Sequence, residues 1–129
     1  MAKMQNELNL YNKLLVTQAV NYHKLGYADI RINNENYTHG QPNKVGGYTP
    51  DLSAVLEDTI TLCEVVTKDL MDDPKTIEKW RTFNRSGYEF HMVISKAILS
   101  TVKDIAKSNG IIVNKFWVVN TAKAPAETD

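Results

Sequence analysis

The chain has 129 residues, 43% of them hydrophobic and 23% charged, which describes one ordinary globular domain able to bury a core without staples. Fifteen Lys and Arg balance fifteen Asp and Glu, so no overall field singles out a nucleic-acid partner; only clustering on one face could do so. The single cysteine, Cys63, excludes a disulfide framework, and no apolar run approaches a membrane span or secretory leader, so the expectation is a cytoplasmic protein with no membrane partner.

In chain order, apolar residues at three- and four-residue steps (Leu8, Tyr11, Leu15, Ala19, Tyr22, with Leu14 and Leu25 alongside) predict a helix over Gln5–Leu25, ended by Gly26. Tyr27–Asn33 alternates as a strand. Asn33–Gly47 is a long polar loop without periodicity; such loops in compact domains are often functional. Two strands follow, Tyr48–Leu56 and Thr59–Thr67, joined at Glu57-Asp58. In the second, Ile60, Leu62, Glu64 and Val66 face one way and Thr61, Cys63, Val65 and Thr67 the other.

Asp73 followed by Pro74 is a strong helix start, and Ile77, Trp80 and Phe83 or Asn84 form that helix's inner side. Tyr88–Ser95 reads as a central strand. Ala97–Ser108 reads as a helix with Val102, Ile105 and Ala106 inward, closed by Asn109-Gly110. Ile111–Asn120 supplies the last strand. Residues 1–120 form one domain on this reading, and the tail over 121–129 is expected to be flexible.

Within this frame two acids draw notice. Asp51, just after Pro50 at a strand start, and Glu64, inside the next strand, could meet on neighbouring strands. Two carboxylates together suit a hard divalent cation. Glu64 shares its face with Ile60 and Leu62, where an unpaired carboxylate is costly. The bland alternatives are that Glu64 pairs with Lys68 or Arg81 at an open strand end, and that Asp51 merely finishes a turn. Lys75, Lys79, Arg81 and Arg85 read either as a phosphate track or as a solvated helix face.

The order of elements, with Pro50-Asp51 opening the second strand and Glu64 inside the third, resembles the PD-(D/E)xK nuclease superfamily, which includes restriction endonucleases and Holliday-junction resolvases. The resemblance covers about Gln5–Asn120 and rests on these two sequence points. It implies an α/β, restriction endonuclease-like fold: a mixed β-sheet flanked by helices in the order αβββαβαβ. It further implies a metal-dependent phosphodiester hydrolase acting on DNA, an endodeoxyribonuclease, with Asp51 and Glu64 as catalytic and metal-binding acids for Mg²⁺ or Mn²⁺. Many such nucleases are dimers, so a homodimer is an expectation.

The superfamily's lysine belongs two residues after the third-strand acid, where this chain has Val66. Lys68 is the third catalytic candidate, although strand rise puts its Cα about 13 Å from that of Glu64 instead of about 7 Å. Lys75 and Lys79 on the following helix are the other candidates. The superfamily often adds an acid on its first helix; Glu7 is the only glutamate there and lies near the helix start. The alternative is a catalytically inactive member of the fold serving as a nucleic-acid-binding or structural subunit.

His23, His39 and His91 show no ligand spacing. His39-Gly40 lies in the long loop ahead of Asp51. An unrelated enzyme using His39 or Cys63 would need a base and nucleophile together, which the sequence does not suggest. Ser86-Gly87 and Gly46-Gly47 read as turns, and Trp80 and Trp117 as core residues.

Overall fold

The computed structural model describes residues 2–34 and 40–120, with side chains from residue 9 onward. The tail over 121–129, His39 and the Glu7 side chain lie outside the described residues. The elements are α1 (Ala2–Lys24), β1 (Ala28–Ile32), β2 (Leu52–Leu56), β3 (Thr59–Val66), α2 (Pro74–Arg85), β4 (Glu89–Ser95), a 3-10 turn (Lys96–Ile98), α3 (Leu99–Ser108) and β5 (Lys115–Val119). The protein is thus mixed α/β, with helices flanking a five-stranded mixed sheet.

The strands lie side by side in the order β1-β2-β3-β4-β5. The first three form an antiparallel meander, while β3, β4 and β5 run parallel. Antiparallel neighbours need only a short turn, and each parallel pair needs a crossover, here α2 and α3.

Two cores form because β3 and β4 are covered on both faces. On one face Leu62, Val66, Phe90, Met92 and Ile94 pack beneath Trp80 and Phe83 of α2 and Val102 and Ala106 of α3. On the other, Cys63, Val65 and Val93 join Leu52 and Ala54 beneath Leu14, Leu15 and Tyr22 of α1. The two-residue alternation along β3 is therefore realised on both faces, and Glu64 interrupts the stripe that faces α2.

Local chemistry sets the helix ends. Asp73 Oδ1 accepts from the Lys75 amide at 2.9 Å, with Pro74 in the first turn. Helix α1 stops at Gly26, whose φ of 89° requires glycine. The Tyr27 amide donates back to Tyr22 O at 2.9 Å and the Gly26 amide to His23 O at 3.1 Å, while the Tyr22 and Tyr27 rings meet at 4.4 Å, the bonds and contact of a Schellman stop.

Several sequence-based boundaries are corrected. Helix α1 begins at Ala2 and ends at Lys24, leaving Leu25 exposed. Strand β2 begins at Leu52, not Tyr48, because Val45–Tyr48 closes a turn of its own, with Val45 N to Tyr48 O at 2.7 Å and Tyr48 N to Val45 O at 3.1 Å. Both central glycines have positive φ, as a primed turn demands. A Cβ on Gly46 would collide with Thr82 Cγ2, so this turn is seated on α2.

Ala97 falls in the 3-10 turn ahead of α3. Strand β5 begins only at Lys115, because Ile111 is used to close α3, its amide bonding Ala106 O at 2.9 Å. Among the described residues no helix is long and apolar enough to cross a membrane.

Candidate functional site

Asp51 and Glu64 come together at the end of the meander. The register pairs Leu52 with Cys63, which sets the residue before Leu52 beside the residue after Cys63. The Asp51 amide donates to Glu64 Oε2 at 2.8 Å, and the Val65 amide donates to Asp51 Oδ2 at 2.9 Å. Each carboxylate is thus clamped by the other strand's backbone. Asp51 is only 6% exposed and Glu64 3%.

Lys79 completes the group. Its Nζ lies 3.1 Å from Glu64 Oε1 and 3.8 Å from Asp51 Oδ1. Trp80 and Phe83 fix the phase of α2 by entering the core. That phase puts Lys79 at the edge of the helix face toward the sheet, with Nζ 5.8 Å from the centre of the Phe83 ring. The lysine stem covers apolar surface while its ammonium reaches the acids.

Tyr11 of α1 reaches the same place from the other side, its hydroxyl donating to Asp51 Oδ1 at 2.5 Å. Its phenol is held well above its ordinary range by burial first and then by the charge of Asp51, so it remains a donor at any ordinary pH. All four carboxylate oxygens are therefore engaged: Asp51 by Tyr11, Lys79 and the Val65 amide, Glu64 by Lys79 and the Asp51 amide.

The electrostatics of the trio follow from burial. Burial, followed by the charge of Asp51, pushes the Glu64 carboxyl well above its usual range, against the pull of Lys79 and the Asp51 amide. For Lys79, burial works to lower the ammonium, yet Glu64 and Asp51 outweigh it and the net shift is upward.

Among the described residues no group of three or more His, Cys, Asp or Glu side chains could hold a metal ion. Two carboxylates nevertheless suit Mg²⁺, which takes one or two of them and fills its remaining positions with water and substrate phosphate oxygens. The donors are hard oxygens of the kind such an ion takes, and Lys79 already sits against both carboxylates.

The other sequence candidates are placed elsewhere. Lys68 is exposed beyond the end of β3 and is not among the partners of either acid. Lys75 is exposed and serves only through its amide at the helix cap. Arg81 bonds Asn109 Oδ1 at 3.3 Å, not Glu64. Val66, where the lysine was expected, is fully buried against the α2 core.

Cys63 is fully buried, and burial pushes its thiol up, away from nucleophilic use. His23 is exposed at the end of α1. His91 lies in the core, where its Nδ1 accepts from Trp117 Nε1 at 3.0 Å, the Tyr22 hydroxyl lies 2.7 Å from the same nitrogen, and Nε2 lies 3.2 Å from Glu89 Oε2. Because the indole can only donate, Nδ1 must be the bare nitrogen.

Tyr11 is the site residue that the sequence reading missed. It counted as one apolar position on the α1 stripe; the available signal was that a half-buried tyrosine hydroxyl requires a polar partner. In comparisons with known proteins, no family model, curated protein or solved structure matches the chain.

Proposed function

We propose that the protein is a restriction endonuclease-like, metal-dependent phosphodiester hydrolase acting on DNA, with its centre at Asp51, Glu64 and Lys79. The observation that carries this reading is the convergence of two buried acids from separate segments on one lysine of a third, its Nζ 3.1 Å and 3.8 Å from their oxygens. A buried ion cluster of this kind stabilises a fold poorly, since desolvation offsets most of the attraction. An acid strongly shifted by burial beside a specific charge partner is instead typical of functional sites.

In this reading Asp51 and Glu64 would hold a Mg²⁺ or Mn²⁺ ion. Such an ion supplies a water of lowered pKa and a Lewis acid toward a phosphoryl oxygen. Lys79 carries the positive charge that offsets negative charge building on the phosphate, the role for which Val66 is unsuited. Tyr11 and the Val65 amide fix the rotamer of Asp51, so that its oxygens need not reorganise during the reaction.

The full engagement of all four carboxylate oxygens within the protein favours one second reading, an inactive relative whose trio is a closed ion-pair network in a binding or structural subunit. One experiment separates the two. The protein is incubated with branched, nicked and linear DNA in Mg²⁺ or Mn²⁺, beside Asp51→Ala and Glu64→Ala. The proposal expects cleavage by the wild type and at least about a hundredfold loss in each variant. Cleavage that survives both substitutions contradicts the site; no cleavage and no heat of metal binding supports the second reading.

A further inference from the structure

Away from the carboxylates, a cleft of about 690 Å³ lies between the exposed side of α2 and the Val45–Tyr48 turn. Its lining carries Lys44, Arg81 and Arg85 against one acid, Glu78. The cleft is a built feature and not a chance gap between mobile parts. Gly46 seats the turn on Thr82 with no room for a side chain, and the Tyr48 ring meets Phe83 edge-on at 6.5 Å. Arg81 is oriented by Asn109, and among the described residues this is its one side-chain bond.

Tyr88 lies at one end of this cleft, 42% exposed. It also lines a smaller hollow of about 100 Å³ that shares Lys44 and Val45 and carries the Arg31–Asp29 ion pair. An exposed aromatic residue beside cations is an arrangement that single-stranded nucleic acid uses, with phosphates on the charges and a base stacked on the ring. An acidic peptide would use the cations but would leave the ring without a role.

We propose that this cleft binds a single nucleic-acid strand, its phosphates on Lys44, Arg81 and Arg85 and one base on Tyr88. The inference rests on the phosphodiester reading for the identity of the ligand, and α2 joins the two places, bearing Lys79 on the face adjoining Thr82. Binding here needs neither metal nor cleavage, so it is tested apart from the carboxylates.

The test is fluorescence anisotropy of a labelled twelve-nucleotide single strand in EDTA, over a series of salt concentrations, with a hairpin duplex and polyglutamate as competitors. The triple variant Lys44→Gln, Arg81→Gln, Arg85→Gln is expected to bind at least about tenfold more weakly. Its salt slope should fall by about two, at roughly 0.7 per lost phosphate contact. Tyr88→Ala is expected to lose at least about fivefold and Tyr88→Trp to retain binding. Lys13→Gln with Lys24→Gln on α1 removes charge from the opposite face and should change affinity less than about twofold. The measurement in EDTA reads binding without metal-dependent cleavage, which separates failure of this cleft from failure of the hydrolase reading.

The proposal is overturned if the wild type does not bind the strand, if the α1 control loses as much as the folded triple variant, or if Tyr88→Ala binds unchanged. It is also overturned if the duplex or polyglutamate competes better than the unlabelled strand.

Discussion

Lys79 and Glu64 meet between α2 and β3 with 3.1 Å from Nζ to Oε1, on the face of β3 whose next inward position is filled by Val66. The sheet therefore has one cation at its two acids, and that cation arrives from the helix above and not from the strand itself. The reason is visible in the packing: Val66 is fully buried among Trp80, Phe83 and their neighbours, where an ammonium would have no polar surroundings.

A first prediction follows from that packing. Val66→Lys should destabilise the protein by about 3 kcal/mol or more, because it places an uncompensated charge in the apolar core. It should also fail to restore cleavage to a Lys79→Met background. Urea denaturation and a cleavage assay of the double variant check both parts.

Tyr11 provides a second. Its hydroxyl donates to a carboxylate that is mostly buried, and Tyr11→Phe removes that donor while keeping the ring. The expected loss is about 1.5 kcal/mol of stability, the lower part of the range for hydrogen bonds to charged groups, because Asp51 keeps the Val65 amide and Lys79. Cleavage should fall with little change in KM, since the substitution disturbs the placing of Asp51 and not substrate contacts. A variant as stable as the wild type in urea would show that the bond contributes nothing.

His91 gives a pH dependence of definite sign. Burial lowers its pKa from the usual 6.5, with Lys115 acting in the same direction and Glu89 opposing. The folded state thus binds a proton less readily than the unfolded chain, so this contribution to stability is present above pH 6.5 and is lost as pH falls through the lowered folded pKa. Glu64 acts in the opposite sense: its raised pKa gives a contribution present below 4.5 that is lost as pH rises through the folded value. The stability difference between wild type and His91→Gln should therefore shrink as pH falls below about 6.5. The Glu64 slope, shared by both proteins, cancels in this comparison.

Much of the fold is legible from local signals. The two-residue alternation of β3 places Leu62 and Val66 on one face and Cys63 and Val65 on the other, and the cores divide the same way. Asp73-Pro74 marks the start of α2, and Gly26 and Asn109-Gly110 mark helix ends, because those signals depend on a few neighbouring residues. The start of β2 is not legible: residues 48–51 are compatible with a strand until the turn at Gly46-Gly47 is seen to claim Tyr48.

The site is legible only in part, for a related reason. The sequence offers Asp51 and Glu64 as a pair because strand register is regular. It names Lys68 first, with Lys75 and Lys79 as the other candidates, because the phase of α2 over the sheet depends on how Trp80 and Phe83 seat in the core. Tyr11 is harder still, since helix periodicity treats a tyrosine at an inward position as another apolar residue. Only tertiary packing reveals which acid its hydroxyl meets.

The most direct test of the central claim compares single-turnover cleavage by Lys79→Met and Lys68→Met, each verified as folded by circular dichroism. If Lys79 carries the charge that offsets the phosphate, its variant should be slower by about 10²- to 10³-fold, while Lys68→Met stays within about twofold of the wild type. A Lys79→Met protein that cleaves as fast as the wild type, or a wild type that does not cleave at all, would contradict the account.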